Sequence, residues 1–145
     1  MRKEFISDLI YEEDSQKVKD FLVKCDDEEE LYVFAFNYNW EDGFEIPHII
    51  MDNPSSSLAV ALLLFYRAGG YTYLNEKPTS SELKEWYNFV HELYDRILKG
   101  KYRVGKVAFK VDLTRVQLFK LRKFITEDEK VFIEEVNGAD CNITL

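Results

Sequence analysis

From Leu83 to Leu98 the residues Leu83, Trp86, Tyr87, Val90, Leu93, Tyr94, Ile97 and Leu98 recur at helical intervals with charged residues between them. That spacing places them on one face of a helix. Thr79 and Glu82 read as a capping box before it, so a helix is predicted over 80–99. The same rhythm runs through the first third of the chain. Helices are predicted over 3–11, over 15–24 with Val18, Phe21 and Leu22 on its face, and over 27–38 with Leu31, Phe34, Ala35 and Tyr38. The first turn of the third, Asp27-Glu28-Glu29-Glu30, puts negative charge where the helix dipole favours it. Asp42-Gly43 breaks this helix, Pro47 opens a short helix reaching Met51, and Asn53-Pro54 ends it. Ser57 caps Leu58 to Ala68, and Gly69-Gly70 stops that helix. It is apolar nearly all round, which predicts the central, most buried position.

The period changes at Lys106 to Val111. Val107, Phe109 and Val111 alternate with Lys106, Ala108 and Lys110, which predicts a short strand, with Cys141, Ile143 and Leu145 as its partner. Thr114 with Gln117 and Thr126 with Glu129 form two more capping boxes, before predicted helices over 115–124 and 127–136; Asn137-Gly138 stops the last. The fold class read from these patterns is mainly α: a compact bundle of about seven helices with at most one short β pair, in a single helical domain over 1–145.

At 145 residues the chain is long enough to bury a core without a disulfide or metal staple. Cys25 and Cys141 stand far apart, outside any CxxC pair, and read as reduced thiols. The longest apolar run, 58–66, is nine residues, well short of the roughly 20 needed to cross a bilayer. No targeting segment is visible, so the expected location is cytoplasmic. The net charge of −8 is unevenly spread. Residues 1–56 carry 15 acids and 5 bases, whereas 96–123 carry 10 bases and the single acid Asp112.

Chemistry has few candidates. His48 follows Pro47 at a helix start, and His91 lies within the amphipathic helix, where a structural role is the simpler reading. Two isolated histidines and two isolated cysteines give no zinc pattern. The outline of a calcium loop around Gly43 fails, because it puts Tyr38, Trp40 and Ile49 at ligand positions. Gly69-Gly70 is a helix stop and no phosphate cradle. No catalytic residue, metal or cofactor is therefore assigned. Glu41, Asp42 and Glu45 form the one carboxylate group that acid–base chemistry could use, the basis of an alternative reading as a hydrolase-like enzyme. A second alternative is an adaptor or regulator that binds nucleic acid or peptide through 96–123, where Lys99, Lys101, Arg103, Lys106 and Lys110 interleave with Tyr102 and Phe109. The acidity of the remaining chain counts against nucleic acid.

The words Asn37-Tyr38-Asn39-Trp40-Glu41-Asp42-Gly43-Phe44-Glu45-Ile46-Pro47, Asp52-Asn53-Pro54, Ala61-Leu62, Phe65-Tyr66 and Gly70 resemble a bacterial family known as domain of unknown function 4274. His91-Glu92-Leu93, Lys110 to Thr114 and Val116 to Leu121 with Lys123 resemble its second half more loosely, so the likeness spans about 30–136. Ser55-Ser56-Ser57 and Gly69 depart from the family pattern. The resemblance implies no activity and carries over no catalytic residue. By analogy of size and acidity such proteins are similar to immunity proteins encoded beside toxins. The resulting expectation is a non-catalytic protein-binding domain that neutralises a basic cognate toxin by occluding it, without membrane contact. Asp26, Asp27, Glu28, Glu29, Glu30, Glu41, Asp42 and Glu45 are the expected contacts, with Tyr32 and Trp40 as anchors. The competing reading of 37–47 is a turn in which Trp40 and Phe44 plug the core while Asn39 and Asp42 cap neighbouring helices.

Overall fold

The computed structural model describes residues 1–11 and 13–145. Among them are eight α-helices: α1 (Lys3–Tyr11), α2 (Ser15–Lys24), α3 (Glu28–Asn37), α4 (Glu45–Asp52), α5 (Leu58–Arg67), α6 (Gly70–Glu76), α7 (Lys84–Leu98) and α8 (Arg115–Phe124). Two 3-10 segments, Trp40–Asp42 and Asp128–Phe132, complete the regular structure. The fold is mainly helical, and no strand forms among the described residues.

The caps explain several starts. Asp14 accepts the Lys17 N–H at 3.0 Å, Asp27 accepts those of Glu29 and Glu30, and Ser57 accepts that of Val60. Thr114 and Gln117 form a complete capping box for α8. Each such cap is worth about 1 kcal/mol. Packing supplies more. Every residue from Ala59 to Phe65 in α5 is buried, and α5 touches α3, α4, α6 and α7. It is the central helix its uninterrupted apolar sequence predicts. Each large side chain buried there contributes roughly 1.5–3 kcal/mol.

Four expectations need correction. Gly69 does end α5, with a left-handed φ of 90° that favours glycine. The chain then re-enters a helix at once, and α6 buries Tyr73 and Leu74. Second, α7 starts at Lys84, and Thr79 and Glu82 form no box; the Leu83 N–H is held instead by Ser81 Oγ at 3.1 Å. Leu83 is largely exposed, so another turn at this end would bury little. Third, the strand over 106–111 is replaced by two isolated bridges of opposite sense, Val107 with Ala139 and Phe109 with Val136. Val107 and Phe109 point into the core as their alternation predicts, but their partners are not Cys141, Ile143 and Leu145. Fourth, the helix over 127–136 shrinks to the 3-10 segment. Glu129 accepts the Thr126 N–H at 2.9 Å, which is half of the expected box. The same oxygen also accepts from Lys77 and the other from the Tyr94 hydroxyl, and Val136 is held by its bridge to Phe109.

Two buried carboxylates bind distant parts of the chain together. Glu30 accepts three bonds from Arg2, from the backbone N–H, Nε and an Nη, at 3.0–3.1 Å. These bonds hold its carboxyl below the ordinary value against the opposing effect of burial. Glu129 is pushed up by burial, but its Lys77, Tyr94 and Thr126 donors outweigh that and leave it lowered. Asn53 of the Asp52-Asn53-Pro54 word is buried. Its amide donates to the carbonyls of Leu22 at 2.7 Å and Cys25 at 2.9 Å, fixing the end of α2.

Candidate acidic binding surface

The turn between α3 and α4 is built from the most distinctive word in the sequence. Tyr38 closes α3, and its hydroxyl donates to the Gly43 carbonyl at 2.8 Å. Burial, with Asp42 and Glu45 nearby, pushes that phenol up to about 12, so it stays a donor. Asn39 accepts the Glu41 N–H at 3.1 Å and starts the 3-10 turn. Gly43, at φ 95°, allows the reversal into α4. The Trp40 ring packs edge-on against Tyr38, Phe44 and Phe89 at centroid distances of 5.5, 6.0 and 5.9 Å. Trp40 is therefore a core plug, as is Phe44, which sits 5.3 Å from Phe89. Asn39 caps as expected. Asp42 makes no capping bond.

Because the aromatic residues turn inward, the carboxylates of the same word turn outward. Glu41, Asp42 and Glu45 are all exposed. Asp42 and Glu45 form a ridge between two hollows. One, of about 450 Å³, is lined by Asp42, Gly43, Phe44, Glu45, His48, Glu85, Asn88 and Phe89. The other, of about 350 Å³, lies against α1, α2 and α3 and is closed on one side by Lys19, which pairs with Glu45 at 2.9 Å. The first hollow brings Glu85 of α7 to the turn residues, a partner that no spacing rule in the sequence links to them. Its floor is aromatic and its rim holds three carboxylates. His48 lies there too, its ring edge-on to Phe89 at 5.6 Å, with Nδ1 3.9 Å from Asp52. Such a hollow can accept a lysine or arginine side chain through its carboxylates.

The acid run at 26–30 is arranged differently. Asp27 caps α3, and Glu30 is buried on Arg2. Glu28 reaches across to the backbone N–H groups of Lys106 at 2.8 Å and Val107 at 3.3 Å. A side chain at Gly105 would collide with that carboxylate. Only Asp26 and Glu29 of the run are exposed, on a groove of about 900 Å³ bounded by 103–107 and 139–141. Tyr32 is half-buried on α3. The ten expected contacts thus separate into two surfaces, and four of them, Asp27, Glu28, Glu30 and Trp40, serve the fold.

Several of the remaining candidates are engaged within the fold. His91 shares a hydrogen bond with the Tyr73 hydroxyl at 2.5 Å and stacks on Tyr87. Cys25 and Cys141 are free thiols. Burial raises both, Cys141 to about 11 with Glu29 and Glu28 adding to the effect, which suppresses the thiolate that nucleophilic chemistry needs. In the basic stretch Arg96 pairs with Asp52 and Glu92, and Lys99 with Asp95. Tyr102 donates to the Met51 carbonyl at 2.9 Å, and Phe109 is buried against Tyr66. The two rings expected to stack on bases are therefore already engaged. No helix is long and apolar enough to cross a membrane among the described residues.

One family model matches the chain over residues 26–98, that of a domain of unknown function (DUF4274). The matched span holds α3 to α7, including both the acid run and the acidic hollow, and stops short of the looser likeness at 110–123. No curated protein and no solved structure matches the chain.

Proposed function

The chain belongs to this family of unknown function, and we propose that it acts as a non-catalytic protein-binding domain, an immunity protein that neutralises a basic toxin by covering it. The observation that carries this reading is the hollow beside the turn at 40–45. Asp42, Glu45 and Glu85 face solvent around Phe44 and Phe89, and among the described residues Asp42 and Glu85 have no ion-pair partner. Occlusion needs no bond-making group in the inhibitor. It needs a rigid surface with aromatic anchoring and charge opposite to its target, and charge of this kind accelerates association. The Trp40–Phe44–Phe89 cluster, anchored on the buried Phe89, supplies the rigidity, and the carboxylates supply the charge. A basic side chain of the toxin enters the hollow. Asp26 and Glu29 form a second, separate acidic surface at the other end of α3.

The test is co-expression with the product of the adjacent gene, followed by co-purification at low ionic strength. A stable complex is expected, and Asp42→Asn with Glu85→Gln should slow its association by about tenfold and flatten its salt dependence. Failure of the two proteins to co-purify would remove the toxin reading. A complex indifferent to both substitutions would move the contact elsewhere.

A further inference from the structure

Helix α8 lies outside the family match and carries Arg115, Lys120, Arg122 and Lys123 with no acid among its ten residues. Leu121 is its one buried side chain. None of the four cations is in an ion pair among the described residues. Val116, Phe119 and Phe124 are 64%, 60% and 57% exposed. At about 100° per residue, Val116, Phe119 and Lys123 face away from Leu121, and Lys120 lies on the flank beside them. Lys123 Nζ lies over the Phe119 ring at 4.3 Å. Cations and apolar groups are therefore interleaved on one ridge. A helix that lies in a bilayer segregates them onto separate faces, and a long polyanion is repelled by a molecule of net charge −8. The ridge fits a protein surface in which carboxylates alternate with apolar groups.

The molecule itself presents such a surface. On α1, Ile6 and Leu9 are buried, so Glu4, Asp8 and Tyr11 face outward. Tyr11 is 68% exposed, and neither carboxylate is in an ion pair among the described residues. We infer that α8 of one copy docks antiparallel on α1 of a second copy. In that register Glu4 meets Lys123, Asp8 meets Lys120 and Tyr11 meets Val116 beside Phe119. The spans match, since Glu4 to Tyr11 and Lys123 to Val116 each cover seven helical steps, about 10.5 Å. Both faces are exposed within one copy, so they do not cover each other. Two short helix faces bury much less than the roughly 1,200 Å² of a stable interface, so the association is weak and driven by charge.

Analytical ultracentrifugation of the whole protein tests this. The mass is expected to rise above the 17.2 kDa monomer with concentration at low salt, and the apparent Kd to weaken about tenfold or more at high salt. Lys120→Glu with Lys123→Glu, and separately Glu4→Lys with Asp8→Lys, should each give a monomer with an unchanged circular dichroism spectrum. Mixing the two variants should restore association, because each then offers the other a complementary helix. A monomer under all conditions overturns the proposal, as does association that survives both charge reversals. Binding of a monomeric wild type to phosphatidylserine vesicles or to an oligonucleotide would reassign the ridge to that partner. Association of this kind neither requires nor excludes the toxin contact, so the two tests fail independently.

Discussion

In the run 26–30, three of five carboxylates accept bonds from the fold itself: Asp27 at a helix start, Glu28 from a distant loop and Glu30 from Arg2. In the turn 41–45 the acids face outward, and among the described residues Glu45 alone of them has a cationic partner, the Lys19 ammonium at 2.9 Å. By charge density the run looks like the better recognition surface. By the count of internal donors it is largely a structural device, and the turn is the surface left over. A carboxylate already holding backbone N–H groups or a guanidinium cannot be given to a partner without weakening the fold. Availability for recognition is therefore read from what each acid already binds.

The sharpest way to break this contrast is at Glu30. Glu30→Ala removes the acceptor of three Arg2 bonds and is expected to destabilise by about 2 kcal/mol. Arg2→Ala should melt lower still at neutral pH, because it leaves a buried carboxylate without its counter-charge. Thermal or urea melts of the two variants decide the point. Equal stability to the parent would show that the buried pair is a passive by-product of packing.

Acid titration sharpens the same point. Glu30 and Glu129 both have lowered folded-state values. Their contribution is thus fully present above the unfolded glutamate value of about 4.3. It is lost as pH falls through the lower folded values, since the unfolded state then takes up protons first. Urea midpoints should fall on acidification through this window. Glu30→Ala should make the acid limb shallower.

Glu28 lies between these cases. Glu28→Ala deprives the Lys106 and Val107 N–H groups of their acceptor. Water can reach this edge of the loop, so the expected cost is about 1 kcal/mol. Faster amide hydrogen exchange at those two residues is the accompanying signature. Unchanged exchange there would mean that Glu28 is as free as Asp26.

The helical half of this molecule was legible in its sequence. The bounds of α1, α2 and α8 follow directly from periodicity and caps, because their signals are local. Ser57 and Thr114 cap as their positions imply, whereas Asp27, read as part of the first turn of α3, is its cap. What escaped was decided by distant partners. Glu129 looks like a capping residue, and only the fold brings Lys77 and Tyr94 to it. Gly69-Gly70 reads as a stop, and nothing local reveals that the chain turns straight into α6. The aromatic half of the candidate site was readable as a core plug. Glu85 was not, since it joins Asp42 only when α7 packs beside the turn. The use of Glu28 by a loop nearly eighty residues away had a faint local sign in Gly105, which reads on its own as an ordinary loop glycine.

The smallest expected effect on stability is the most informative for function. Asp42 accepts no hydrogen bond and pairs with no cation among the described residues. Asp42→Asn should therefore change stability by under about 0.5 kcal/mol, as surface substitutions do. Glu85 lies in the first turn of α7, where a negative charge gains about 0.3–1 kcal/mol from the helix dipole. Glu85→Gln should lose part of that gain and no more. Chemical denaturation of the two single variants and the double variant gives the values. If the double variant loses 2 kcal/mol or more, comparable to removing Glu30, the turn is a structural device like the run. The acidic hollow would then have no free charge to offer a partner. If the loss stays within the dipole contribution, its carboxylates belong to the surface and are available for recognition.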